Sequence, residues 1–561
     1  MSVESLHKTR VAQAHAEVER TEISRPVALT LTAVFLTTIA AVPITQAWVD
    51  HGVLRVAKDT TATAPRRVDG RSPIARVIDG NRQVLAAIRR FTDRLDTDSV
   101  LARHLRPAVQ LLLTERLGAG NERVYTGRDD WLYYAIDVQH VVGRGFLDPG
   151  QLARRAASGD SLFEAAVPDP RPALRAFHDA LARRGITLVL VPTPVKPSIH
   201  PEQLGVRASL APVRNVSFSQ FADEMRAAGM LLFDPAPLLA NLGALGDAAY
   251  LARDTHWRPD AVAAVAQALA RFLEREIPLP ERAPVSLDAR LARVSNRGDI
   301  VGLLDLPAGW SPYPVETVEV RRILTADGRP WRGDPTADVL LLGDSFANIF
   351  SLEAMGWGTA AGLAEHLSFA LGRPVDRLVQ NANGAFASRA ALARELARGR
   401  DRLAGKRVVV YQFATRELTH GDWRLVDLDP PRPALASTVL TPEPGQVLTV
   451  QGRVRQLTRA PRPGTVPYRD HIISVDLVEI DTGGAAVTDS EALVYLSSME
   501  DNVWTAAASL IVGQTITLTL RPWAEVAPEL DGITRTELIE GNVVFAEPWW
   551  GELATPPLEP P

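Results

Sequence analysis

The sequence predicts an α/β fold: a parallel sheet with helices on both faces, preceded by one transmembrane helix and followed by a separate antiparallel β domain. Three observations predict it. Between residues 172 and 425, short runs rich in β-branched residues alternate with segments of helical periodicity. Residues 27–49 carry no charge, and beyond residue 433 the apolar pattern switches to period two.

At 561 residues the chain is too long for a single core. Apolar content of 46% and charged content of 23% are ordinary for a globular protein, and a formal charge of −5 gives no electrostatic case for a nucleic-acid partner. There is no cysteine, which excludes disulfides, thiolate metal sites and cysteine nucleophiles. It leaves the redox compartment open.

Residues 1–26 form an N-terminal tail of mixed charge. The 23 uncharged residues 27–49 end near Trp48, a residue suited to a membrane interface. At about 1.5 Å per residue they reach across a hydrocarbon core of roughly 30 Å. The reading taken is a single uncleaved membrane anchor; a cleaved signal peptide and a buried core helix are the alternatives. Basic residues flank the stretch equally on both sides, so charge does not orient it, and size alone favours export of the large C-terminal portion. The expectation is therefore a membrane-anchored chain with its large C-terminal portion exported.

Residues 50–75, with Thr60-Thr61-Ala62-Thr63-Ala64-Pro65, read as a linker, and helical spacing follows over 74–117. Residues 124–137 read as a hairpin between aromatic-rich strands. The α/β pattern then places helices at 172–184, 218–228, 259–276 and 389–398. Strands fall at 186–191, 230–234, 339–342, 377–380 and 408–413. Pro259 suits the first turn of its helix. An α/β domain at 76–428 results, closed by the boundary Asp429-Pro430-Pro431-Arg432-Pro433. The β domain, barrel or sandwich, is expected at 436–548, with strands near 447–450, 471–477, 493–496 and 516–520. From residue 446 onward it holds 7 basic against 16 acidic residues, which argues against an oligonucleotide-binding barrel.

The chemistry is carried by Gly343-Asp344-Ser345, at the end of the run Val339-Leu340-Leu341-Leu342. A buried strand that breaks at glycine and delivers serine into a turn presents a nucleophile, and the helix N-terminus beyond it points amides at a developing oxyanion. Serine needs a base, and histidine a carboxylate to fix its tautomer. Asp254-Thr255-His256-Trp257 supplies both: in an extended or turn backbone, residues two apart share a side. The alternative is that Asp254 caps the helix beginning near Pro259 and His256 is an ordinary loop residue.

With these segments the chain resembles the SGNH-hydrolase-like polysaccharide O-acetyltransferases of the alginate type, the AlgJ/AlgX group, over roughly residues 75–425. The Asp-x-His-Trp segment upstream of the Gly-Asp-Ser turn matches that group's order. Segments 124–134, 191–196, 298–304 and 413–418 match in sequence, with Asp129-Asp130 where a glycine is commoner. The resemblance implies an SGNH-like, flavodoxin-like sheet, Ser345 as the acetylated nucleophile, His256 as general base and Asp254 as its orienting carboxylate. It also implies a polysaccharide acceptor and a multi-spanning membrane acyltransferase that supplies acetyl groups.

Asp344 is read as a turn residue that bonds backbone amides. The Ser345 N–H is expected in the oxyanion hole, with Asn383 and Gly384 as candidates for a second donor or else a plain loop turn. Arg416 is a candidate for binding sugar carboxylates or hydroxyls, against a structural ion pair with Glu417 or Asp422. Lys196 is a candidate for holding an acidic substrate, against an exposed solvated lysine. Trp131 and Trp257 are candidates for stacking on sugar, against a place in the core. No histidine spacing suggests a metal, no Gly-rich phosphate loop stands out, and no cofactor is expected. An acetylesterase with the same triad, or a glycan-binding scaffold with an idle triad, are the alternative functions.

Overall fold

The computed structural model describes residues 24–53, 100–158, 166–206, 211–244, 248–307, 309–381, 384–428, 439–463, 466, 468–482, 490–530, 532–538 and 541–554. Most of the expected linker and of the N-terminal tail, and the Asp429–Pro433 boundary, lie outside these residues; linker residues 50–53 are the end of a helix. The chain divides into two compact units, residues 1–112 and 113–561.

The first unit contains a 29-residue helix, Arg25–Val53, where the anchor was expected. Thr30, Thr32 and Thr45 donate their hydroxyls to carbonyls four residues back, so the helix absorbs its own polar side chains. Leu29, Leu31, Val34, Phe35, Leu36 and Ile39 are exposed. Among the described residues, however, no helix is long and apolar enough to cross a membrane. The expected span at 27–49 is corrected to a long helix whose apolar residues are interspersed with threonines.

In the second unit β1 (Val124–Thr126) and β2 (Leu132–Tyr134) form the expected hairpin, Val124 opposite Tyr134. Its turn holds Asp129 and Asp130 at φ of 52° and 60°, the left-handed region that short polar side chains tolerate. Next come β3 (Thr187–Thr193) and β4 (Leu231–Leu232), then a hairpin of β5 (Leu287–Asn296) and β6 (Glu316–Thr325), and finally β7 (Val339–Gly343), β8 (Asp376–Val379) and β9 (Val408–Ala414). The sheet order is β4-β3-β9-β7-β8, all parallel.

Alternation along β3, β7 and β9 splits their side chains between two cores. Val189, Val191, Val339, Leu341, Val408 and Val410 pack with helix Pro259–Glu276, while Leu188, Leu190, Leu340, Leu342, Val409 and Tyr411 pack with helices Pro170–Ala182 and Phe218–Ala227. Taken from the other edge, β8-β7-β9-β3-β4 is the flavodoxin-like order second-first-third-fourth-fifth, provided the chain is started at β7. Here it starts at β3. The sheet is a permuted version of that fold.

The C-terminal strands are β10 (Leu448–Leu457), β11 (His471–Asp481), β12 (Glu491–Glu500), β13 (Val503–Trp504), β14 (Thr515–Pro522), β15 (Thr534–Thr536) and β16 (Trp549–Leu553). Strands β10, β11, β12, β16 and β14 close into a ring around Val450, Val475, Leu477, Leu496, Leu518 and Trp549. It is therefore a barrel. Two expectations change: the β12–β16 closure is parallel, and β16 lies beyond residue 548. Numbered within the ring the order is 1-2-3-5-4, that of oligonucleotide- and oligosaccharide-binding barrels. The acidic composition argued against a nucleic-acid ligand, and it carries no information about strand order.

Candidate active site

Strand β7 is fully buried and ends on Gly343, where a Cβ would lie 2.7 Å from the Ala347 Cβ. Only glycine allows the following helix, Ser345–Asn348, to pack this closely. Asp344 caps that helix through the Phe346 N–H at 2.9 Å and accepts from Gln412 Nε2 at 2.9 Å and the Ala414 N–H at 2.7 Å. Its carboxylate ties the turn to the end of β9 and transfers no proton.

Ser345 Oγ lies 2.8 Å from His256 Nε2, and His256 Nδ1 lies 2.6 Å from Asp254 Oδ1. All three are at most 6% exposed. With Asp254 ionised, Nδ1 must carry the proton, which leaves the Nε2 lone pair for the serine hydroxyl. Burial pushes the Asp254 carboxyl up. The His256 hydrogen bond and charge, with the Trp357 Nε1–H at 2.8 Å and the Asp299 N–H at 3.0 Å, bring it below the ordinary carboxylate range.

A second carboxylate stands behind the imidazole. Asp299 Oδ2 is 3.7 Å from His256 Nδ1 and accepts the Thr255 hydroxyl at 2.6 Å, while its Oδ1 accepts the Thr255 N–H at 2.8 Å. Burial first, and then the neighbouring Asp254 charge, raise its carboxyl above the ordinary range. Gly298, at φ of 91°, makes this possible: a Cβ there would sit 2.2 Å from the Arg253 carbonyl oxygen. Asp254, His256 and Asp299 place ligand atoms within 4.8 Å of one another. Their lone pairs and protons are already used among His256, Thr255 and Trp357, so the cluster positions a proton.

Ser345, His256, Asp254, Asp299 and Arg416 border a cleft of about 790 Å³. Its other walls come from the loop after β5 (Asp305, Trp310), from Glu353 and Met355, and from barrel residues Tyr468, Asp501 and Ile533. Arg416 pairs with buried Asp137 at 3.1 Å, in place of the expected Glu417 or Asp422, and lies 5.5 Å over the Phe346 ring.

The remaining candidates fall elsewhere. Lys196 is neither in the cleft nor exposed: it is buried, donates to the Leu132 and Ala252 carbonyls at 2.8 and 3.1 Å, and lies over the Trp131 and Tyr133 rings. Burial lowers its ammonium to about 8. Lys196→Met is expected to cost about 1–3 kcal/mol in chemical denaturation, because two carbonyls lose a donor. Turnover per folded molecule should hold. Gly384 packs against Asp344 and accepts the Tyr411 hydroxyl through its carbonyl, outside the cleft wall. Asn383 lies outside the described residues. Trp257 is in the core, donating to the Phe346 carbonyl at 3.0 Å, and Trp131 packs on His200.

Beside Arg416, Glu417 has its carboxyl raised to about 7 by burial, against the pull of Arg416 and with the push of Asp344. A raised folded pKa means that the folded state holds a proton the unfolded state has already lost. Stability from this group therefore falls as pH rises from about 4.5 to 7 and is constant outside that window. Glu417→Gln should remove that fall, gaining about 1–3 kcal/mol on the wild type across the window in urea melts at stepped pH.

The sequence profile of the SGNH hydrolase-like domain of acetyltransferase AlgX matches residues 124–415, a span that holds Asp254, His256 and Ser345. The chain belongs to this family. A probable alginate O-acetylase AlgJ of Pseudomonas aeruginosa is 30% identical over 212 residues, covering 36% of this chain and 51% of that one. The AlgJ of Pseudomonas putida is 26% identical over 236 residues, covering 41% and 56%. The chain thus spans about half the length of the curated relatives it matches. Among solved structures, the O-acetyltransferase domain of Pseudomonas putida AlgJ aligns at 22% identity and TM-score 0.40, covering 55% of this chain and 95% of that one. Pseudomonas aeruginosa AlgX aligns at 16% and 0.35, covering 71% and 90%. In this AlgX-type domain, Trp357, Thr255 and the role of Asp299 escaped the sequence reading. Gly298-Asp299 stood in a matched segment, but nothing local to it points at His256.

Proposed function

We propose that this chain moves acetyl groups from a donor to hydroxyls of a polysaccharide through an acetyl-Ser345 intermediate. The observation that carries this is the continuous Asp254–His256–Ser345 hydrogen-bond chain opening on the cleft. His256 Nε2 takes the serine proton as Oγ attacks the acetyl carbonyl, and returns it to the leaving oxygen of the donor. A sugar hydroxyl then gives its proton to Nε2 and attacks the acetyl carbon, and the proton passes back to Ser345 Oγ as that bond breaks. Ser345 is the first residue of its helix, where a backbone N–H has no intrahelical acceptor, and we assign that amide to the oxyanion.

The same reading places the reaction outside the cytoplasm, where a membrane-bound multi-spanning acyltransferase supplies the acetyl group. The names of the AlgJ relatives support a polysaccharide acceptor. The test incubates the full chain with 4-nitrophenyl acetate, with and without oligosaccharides. Mass spectrometry should find acetyl on the Ser345 peptide and then on the sugar. Adduct followed only by hydrolysis would replace the transferase reading with an esterase, and absence of adduct would remove the covalent mechanism.

A further inference from the structure

The geometry points to an uncharged polysaccharide as the acceptor, held between Trp310 of the catalytic domain and the loop edge of the barrel. The inference rests on the acetyl-transfer reading only for which end of the cleft reacts.

The first support is the wall itself. Trp310 lines the cleft yet stays 44% exposed, on a loop that also carries Asp305. A large aromatic held open in a cleft gains from covering its face, and the apolar face of a sugar ring provides such a cover. Across from it the barrel contributes two loops. The loop between its first and second strands gives Pro463, Val466, Tyr468 and Asp470, and the one between its fourth and fifth gives Gly532, Ile533 and Thr534. In barrels of this topology these two loops form the ligand-binding edge, for oligosaccharides among others. The Tyr468 ring is held by stacking on His471 at 5.9 Å and 18°.

The second support is charge. A polyuronate brings one carboxylate per sugar and needs unpaired cations to receive it. Three arginines border the cleft, and two are already spoken for: Arg416 pairs with Asp137 and Arg469 with Asp501. Arg297 is the one cation on the wall without a carboxylate partner among the described residues, and it stands against Asp305, Glu353 and Asp470, which have no basic partner there. Like charges brought together in a cleft act as an element of rejection, and here they reject an anionic polymer.

The experiment uses the full chain carrying Ser345→Ala, so that binding is read without turnover. Cellohexaose, mannohexaose and chitohexaose are titrated against hexamannuronate and hexagalacturonate at low salt, where electrostatic attraction would be greatest. At least one neutral hexasaccharide should bind about tenfold or more tightly than either uronate. Trp310→Ala should weaken it about tenfold, and Trp310→Phe should recover most of the loss. The pair Asp305→Arg and Glu353→Arg should raise uronate affinity and make it salt-dependent. Uronates that bind the unaltered cleft as tightly as the neutral sugars would overturn the inference, as would binding of no hexasaccharide or a Trp310→Ala variant with full affinity. Loss of the acetyl-Ser345 adduct in the wild type with this binding pattern intact would overturn the transfer reading alone.

Discussion

Ser345→Ala is expected to abolish the acetyl-enzyme and to lower acetyl-ester turnover by roughly 10⁴- to 10⁶-fold. The side chain is small and sits at the edge of the cleft, so its loss leaves no cavity of consequence, and thermal unfolding should stay within about 1 kcal/mol of wild type. Among the described residues the group deprived of a partner is His256 Nε2, where a cleft water can take the place of the hydroxyl. His256→Ala should fall by a similar factor. The double variant should fall no further, because residues acting as one unit are not additive in rate. Stopped-flow or endpoint release of nitrophenol, with intact-mass detection of the 42-dalton acetyl group, which is about the mass of ketene added to a hydroxyl, checks both. Wild-type turnover in Ser345→Ala would place the nucleophile elsewhere.

The order of the triad has a structural cause. Here the chain begins two strands before the serine strand, so β3 and β4 come first and the loop after β4 carries Asp254 and His256 ahead of Ser345. The upstream position seen in the sequence is this permutation.

The elements buried on both faces were the legible ones. Helix Pro259–Glu276 falls on the expected residues, and β3, β7 and β9 fall within a residue or two, because a parallel strand in the core has to be a continuous apolar run; β8, at the sheet edge and mostly half-buried, begins one residue before the expected strand. The β5–β6 hairpin was missed for the opposite reason: most of β5 is exposed, and Asp288-Ala289-Arg290 carries little apolar pattern. That miss concealed the cleft, since Asp299, Asp305 and Trp310 stand in the loop it supports. Lys196 and Arg416 stand as candidate substrate contacts, against a solvated lysine and a structural ion pair, because long basic side chains near strand ends usually face water. Their partners, two backbone carbonyls and Asp137, lie at least 56 residues away in sequence, beyond any local pattern. The barrel closure was illegible because Trp549-Trp550 pairs with β12 and β14, and nothing in a five-residue segment states its partners.

Two carboxylates face His256 Nδ1, and substitution by the isosteric amide separates their roles. In Asp254→Asn the side chain is oriented by its fixed neighbours: the position of Oδ2 receives two backbone or indole donors, the Trp357 indole N–H and the Asp299 N–H, against one at Oδ1, the His256 N–H at 3.1 Å, so the amide oxygen takes the Oδ2 place. The NH₂ group is then turned toward His256, where it meets Nδ1 at 2.6 Å. Two donors cannot face each other, so Nδ1 gives up its proton and Nε2 takes one. The nitrogen beside Ser345 becomes a donor and can no longer accept the hydroxyl proton, and turnover should fall about 10³- to 10⁴-fold with little change in the affinity for substrate. Asp299→Asn differs. Burial and the Asp254 charge push its carboxyl toward the protonated form, which an amide imitates, and its oxygens serve Thr255, with Oδ2 at 3.7 Å from His256 Nδ1, beyond hydrogen-bond distance. Its loss in turnover should stay within about tenfold, one decade being about 1.4 kcal/mol. Nitrogen-15 spectra of the imidazole read the tautomer directly, with Nδ1 protonated in the wild type and in Asp299→Asn, and Nε2 protonated in Asp254→Asn. Equal losses in the two variants, with no change of tautomer, would mean that the pair orients His256 jointly and that the 2.6 Å contact holds no special place.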